Sequence, residues 1–163
     1  MMTIEYQPIG LIRSPFKTAE GMPIQPAGAT DITGTVEVFR EFRAGLRDLE
    51  GFSHLILLYH FHRSQGFQLE VVPFLDSQAH GLFATRAPRR PNAIGLSVVR
   101  LLAVAEDILQ IGHPDVLDGT PLLDIKPYVP AFDAPTEVRT GWLERAEHNV
   151  AMRIADGRFQ EPS

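Results

Sequence analysis

The sequence predicts a mainly β fold, a small antiparallel β-barrel with one or two short helices. Three observations predict it. Thirteen glycines and thirteen prolines are spread through 163 residues instead of gathering in a linker, which implies many short elements joined by turns. Apolar residues alternate or run together in stretches of four to eight, the signature of strands. Only two segments carry helical spacing.

In chain order, "IEYQPIGLIRS" reads as a strand edged by Pro8, and "GTVEVF" alternates at Val36 and Val38. Between them lies "PFKTAEGMPIQPAGATDITG", too long and patternless for a simple connection, and loops of that kind inside a domain are often functional. Phe39, Phe42, Leu46 and Leu49 recur at helical spacing, so "REFRAGLRDLEGF" is expected to be a short amphipathic helix closed by Gly51. "HLILLYHFH" fits a strand buried on both faces. Further strands are expected at "LEVVPF", "GLFAT", "GLSVVRLLAVA", "DILQIG", "PLLDIK" and "VRTGWL". A last short helix is expected within "LERAEHNVAMRIADGRF". The length suits one domain spanning 1–163.

Composition excludes several chemistries. The chain has no cysteine, so disulfides, thiolate metal sites and cysteine nucleophiles are ruled out. Neither a basic-then-apolar leader nor an apolar run of membrane-spanning length is visible, and a soluble cytoplasmic protein is the expectation. The net charge of −5 gives no global attraction to nucleic acid, so any RNA contact must come from local patches. Glycine-rich phosphate cradles and G-x-S-x-G are missing. His60 and His62 alternate along "YHFH" but lack a third ligand at a telling spacing, so no metal is expected.

Two stretches concentrate polar chemistry. In "TRAPRRPNAIG", Pro88 and Pro91 stiffen an irregular loop that presents Arg86, Arg89 and Arg90. Such forks suit a carboxylate or phosphate, and equally suit surface pairing with the 20 acidic residues. In "LDGTPLLDIKPYVPAFD", Asp118 to Pro121 has the makings of a tight turn. Asp124, Lys126 and Tyr128 then alternate along an extended segment, on one face by spacing, where Asp124 and Lys126 also have the makings of a simple ion pair.

"PIGLIRSPFK", "GFSHLILLYHFH", "GLFATRAPRRPNAIGLSVVRL" and "LDGTPLLDIKPYVP", in this order, resemble the TsaA-like, or TrmO, family in its short single-domain form. The resemblance covers about residues 4–133 and leaves 134–163 as a C-terminal extension. It implies a β-barrel methyltransferase that uses S-adenosylmethionine, works as a homodimer, and methylates N6 of threonylcarbamoyl-adenosine beside the tRNA anticodon. By the same resemblance, Pro23, Ile24, Gln25, His62, Arg63, Arg86, Leu96, Leu117, Asp118, Gly119 and Thr120 are the cofactor-binding candidates. Asp124, Lys126 and Tyr128 are the catalytic candidates, and Arg89, Arg90 and Asn92 the substrate-binding ones. A methyltransferase of this fold acting on a small molecule, or a non-catalytic module binding S-adenosylmethionine or RNA, are the alternatives.

Overall fold

The computed structural model describes residues 1–23 and 31–146. Six strands close into an antiparallel barrel: β1 (Gly10–Arg13), β2 (Thr33–Val38), β3 (His54–His60), β6 (Ile94–Ala105), β7 (Ile108–Gly112) and β8 (Thr120–Pro127), in the order β1-β2-β7-β6-β3-β8. Closure joins β8 back to β1 and leaves no free sheet edge among these strands. A two-stranded ribbon, β4 (Glu70–Val71) with β5 (His80–Gly81), stands apart from the barrel sheet.

Alternation sends one side of each strand inward. Ile12, Val36, Leu55, Leu57, Leu109, Ile111 and Leu122 fill the interior. Burying each such side chain contributes about 1.5–3 kcal/mol, the main force holding the barrel shut. Leu46 stoppers one end, carried there by a 3-10 turn (Arg40–Leu46). The opposite end is a mouth formed by the end of β1, the beginning of β8, the residues after β3 and the loop before β6.

Several local expectations need correction. Phe39, Phe42, Leu46 and Leu49 produce two 3-10 turns, Arg40–Leu46 and Leu49–Gly51, not one α-helix, because left-handed Asp48 breaks the run after two turns. The only α-helix among the described residues is a single turn, α1 (Pro130–Asp133). β3 is buried on its inner face and half-buried on the other, since the sheet is covered on one side only. "GLFAT" is mostly a 3-10 turn (Leu82–Ala84), and "VRTGWL" leads into another (Gly141–Arg145) instead of a strand. The helix expected in "LERAEHNVAMRIADGRF" lies mainly outside the described residues.

Candidate active site

A bulge decides which way β8 presents its polar row. Tyr59 pairs with Leu122, yet Leu58 pairs with Asp124, so Leu123 is the extra residue. Before the bulge Thr120 and Leu122 are buried; beyond it Ile125 packs against the core while Asp124 and Lys126 share the outer face with Leu58 and Ile56. β6 continues that face with Leu96 and Val98, the cross-strand partners of Leu58 and Ile56. Leu96 is 45% exposed. Asp124 and Leu96 thus flank Leu58 from opposite sides.

The row does not run toward the mouth. Tyr128 donates its N–H to the His54 carbonyl (3.1 Å), and their rings meet edge to face at the stoppered end of the barrel. Eight residues of strand, roughly 26 Å, separate it from Thr120. Asp124 and Lys126 form an ion pair at 2.9 Å, and that hydrogen bond raises the lysine's affinity for its proton. Lys126 is therefore poorly suited to accept a proton, and of the three only Asp124 lies near the mouth half of the strand.

At the mouth, the turn from Leu117 to Thr120 is tied down by its own backbone. Asp118 N–H donates to Phe16 O (2.8 Å) and Gly119 N–H to Ile12 O (2.9 Å). Gly119 takes φ +76, a conformation other residues enter only with strain. The Asp118 carboxylate accepts from Ser14 N–H and from Lys17 (2.5 Å), contacts that hold its pKa below the usual carboxylate range, the lysine most of all. Asp118 thus works as a brace between the turn and the chain leaving β1. The N–H groups of Asp118 and Gly119 are committed to this brace, so any ligand at the turn meets its remaining groups.

His62 faces the same turn. Thr120 Oγ1 donates to Leu117 O (2.7 Å), so its weak 3.5 Å contact with His62 Nδ1 is consistent with the ring N–H as donor, leaving Nε2 as an acceptor. Partial burial, then Arg63, then His60 lower the His62 pKa, which favours the neutral ring. Arg63 reaches back to the Lys17 carbonyl (3.0 Å). Pro23, within the segment between β1 and β2, is buried; Ile24 and Gln25 lie outside the described residues.

The arginine loop is irregular from Thr85 to Ala93, as its prolines require. Arg89 donates to Gln65 O (3.0 Å), and Arg90 Nη1 donates to Thr85 O and Ala87 O. Both guanidinium groups therefore brace the loop with part of their donor set. Arg86 and Asn92 are exposed.

Beneath Arg86 lies a network that sequence reasoning missed. Tyr59, Ser97 and Asp115 are all buried: Tyr59 OH lies 2.9 Å from Ser97 Oγ, which donates to Asp115 Oδ1 at 2.5 Å. Burial is the main reason the Asp115 pKa rises to about 7, opposed by the bond from Ser97 and the charge of Arg86. This bond joins β6, just after the arginine loop, to the segment entering the Leu117 turn. Nothing in "HPDVLDGTP" distinguishes a buried aspartate from an exposed one, and Ser97 reads as a packing residue.

Among the described residues no group of three His, Asp or Glu side chains is placed to hold a metal. An open cleft of about 540 Å³, lined by Arg40, Arg43, Arg47 and Glu106, lies at the stoppered end, away from this chemistry.

The tRNA-methyltransferase O N-terminal domain profile matches residues 11–134. The chain belongs to the TrmO family. A probable S-adenosyl-L-methionine-binding protein of Pyrococcus abyssi is 57% identical over 158 residues, covering 97% of this chain and 86% of that protein. The tRNA (adenine(37)-N6)-methyltransferase of Escherichia coli is 36% identical, covering 90% of this chain and 66% of the relative. The crystal structure of TrmO from Pseudomonas aeruginosa superposes with a TM-score of 0.74 at 43% identity, covering 86% of this chain and 63% of that one. This TrmO family member thus spans about two thirds of the length of the last two proteins, and its barrel is the part they share.

Proposed function

We propose that this protein is an S-adenosylmethionine-dependent N-methyltransferase that methylates N6 of threonylcarbamoyl-adenosine in tRNA, beside the anticodon. What supports the reading is the contact of His62 with the Leu117 to Thr120 turn at the barrel mouth and the Ser97–Asp115 bond beside it, with the charge of Arg86 acting on Asp115. Family membership and the names of the relatives support it.

The residues fit the cofactor's chemistry. S-adenosylmethionine carries a carboxylate, a sulfonium and an adenine but no phosphate, and the mouth offers an exposed arginine and a turn without a glycine-rich cradle. When bound, the cofactor supplies an electrophilic methyl group. Arg86 would hold its carboxylate. His62, Arg63, Leu96, Pro23 and the Leu117 to Thr120 turn would line the remainder, and Ile24 and Gln25, outside the described residues, stay candidates by sequence alone. Alignment and exclusion of water dominate the rate, because methyl transfer is an in-line displacement. Asp124 orients the weakly nucleophilic nitrogen, with Lys126 behind it on β8 and Tyr128 just past the end of that strand. Arg89, Arg90 and Asn92 face the RNA.

A homodimer belongs to this reading. The outer face of β3 and β6 presents Ile56, Leu58, Leu96, Val98 and Ile94 in contiguous register, with the last 40% exposed. A second copy covering that face would place Leu96 and Asp124 at the subunit boundary. No helix among the described residues is long and apolar enough to cross a membrane, and the proposed setting is the cytoplasm.

The test is mass spectrometry of tRNA nucleosides after incubating the protein with S-adenosylmethionine and tRNA bearing threonylcarbamoyl-adenosine. One added methyl on that nucleoside, lost in Arg86→Ala, supports the reading. Cofactor binding without methyl transfer would overturn the substrate and favour a small-molecule substrate or a binding role.

A further inference from the structure

We propose that Phe83 is a stacking platform for an unpaired RNA base, held out beside the arginine loop; this rests on the tRNA reading above. Phe83 is 74% exposed, whereas Leu82, Thr85 and Ala87 around it are buried. A large apolar ring in water is costly unless something covers it.

The turn carrying the ring is unusually well secured. Thr85 N–H and Oγ1 both donate to Leu82 O, at 3.0 and 2.7 Å. Trp142 Nε1 donates to Ala84 O (2.8 Å) while its ring stacks on His80, 4.6 Å between centroids. His80 Nε2 is in turn 2.8 Å from Asp76 Oδ2. Arg90 braces Thr85 O and Ala87 O and lies over the Phe83 ring, 5.7 Å from its centroid. These contacts converge on a three-residue turn and fix the backbone from which the exposed Phe83 ring projects. Rigid display lowers the entropy lost when a flat partner docks.

The surroundings select the partner. The loop that follows the turn carries Arg86, Arg89 and Arg90, with Arg90 over the ring, and the nearby Asp76 carboxylate is engaged by His80, in a chain whose net charge is −5. An aromatic face beside several guanidinium groups matches a splayed nucleotide: the base stacks on the ring and its phosphates meet the arginines. Single-stranded loops offer such bases, whereas paired helices keep them stacked away. The occupant is thus a base of the anticodon loop adjoining the one whose N6 is methylated.

The test uses the full chain and an RNA stem-loop with the anticodon-loop sequence, followed by fluorescence anisotropy, with a fully paired duplex of equal length as control. Loss of one base–aromatic stack corresponds to roughly a 5- to 150-fold loss of affinity. Phe83→Ala is expected to weaken stem-loop binding within that range, leaving the duplex and S-adenosylmethionine affinities unchanged. Phe83→Tyr restores binding and Phe83→Leu does not, because leucine keeps apolar bulk without a π face. In Phe83→Trp, stem-loop addition quenches indole emission beyond the change seen in wild type, whose sole tryptophan is Trp142. Rescue by leucine, an unquenched indole, or dissociation of an oligomer by Phe83→Ala in sedimentation would overturn the platform while leaving the methyltransferase reading intact. Failure of the wild type to bind the stem-loop would overturn the platform, and failure to methylate tRNA as well would overturn both.

Discussion

Ser97 Oγ lies 2.5 Å from a carboxylate oxygen of Asp115, inside a barrel otherwise lined mostly by aliphatic side chains. With Asp115 ionised, the protons run one way: Tyr59 O–H to Ser97, Ser97 O–H to Asp115. Removing the serine hydroxyl breaks both bonds and strands two buried polar groups. Ser97→Ala should therefore destabilise the fold by about 1–3 kcal/mol, measured as a lower urea midpoint at constant m.

Asp115 also sets a pH dependence. Its folded pKa, about 7, is raised above the ordinary aspartate value of 3.8. Between these values the folded state binds more protons than the unfolded chain, so this group's contribution to stability falls as pH rises. The contribution is fully present below 3.8 and lost by the time pH passes about 7. Asp76 and Asp118, whose pKa values are lowered, act oppositely and lose their contribution as pH falls below the usual carboxylate range. Urea midpoints from pH 4 to 8 should fall more steeply with pH in wild type than in Asp115→Asn. Parallel curves would show that Asp115 does not titrate in this window.

Gly95 sits under the Tyr59 ring, and a Cβ there would overlap both that ring and Phe61. Gly95→Ala forces the aromatic pair aside, at a cost of roughly 1–3 kcal/mol from overpacking. For a chain of this size Tm should fall by about 2–4 °C per kcal/mol. Because Leu96 is the next residue on the same strand, cofactor affinity measured by calorimetry should weaken with it.

The brace at the mouth ranks its two charged residues unequally, since Lys17 is largely exposed and Asp118 is not. Asp118→Ala removes acceptors for Ser14 N–H and Lys17 and should loosen the turn, weakening S-adenosylmethionine binding about tenfold or more. Lys17→Ala removes only a largely exposed partner and should change stability by less than about 1 kcal/mol. Equal effects of the two substitutions on binding would contradict the brace.

Along β8 the position of each residue orders its effect. Asp124→Asn should lower kcat for tRNA methylation, whereas Lys126→Ala and Tyr128→Phe should keep it within about threefold, since Tyr128 packs at the far end of the barrel. An inactive Tyr128→Phe with native stability would place the chemistry elsewhere on the strand.

The antiparallel barrel, most of its strands and the irregular arginine loop were legible in the sequence, because alternation and proline act locally and leave their mark in neighbouring residues. Val36 and Val38 announce a strand wherever they fold. The family was legible too, through long motifs such as "TRAPRRPNAIG". Only the tertiary structure decided which polar groups meet. The Leu123 bulge turns Asp124 and Lys126 onto the outer face, a register event that alternation alone does not encode. Asp115 and Ser97 find each other across 18 positions, and Trp142 locks the Phe83 turn from 58 positions beyond Ala84. Strand formation depends on near neighbours, whereas burial, pKa and the closing of a site depend on partners that only barrel closure brings into reach.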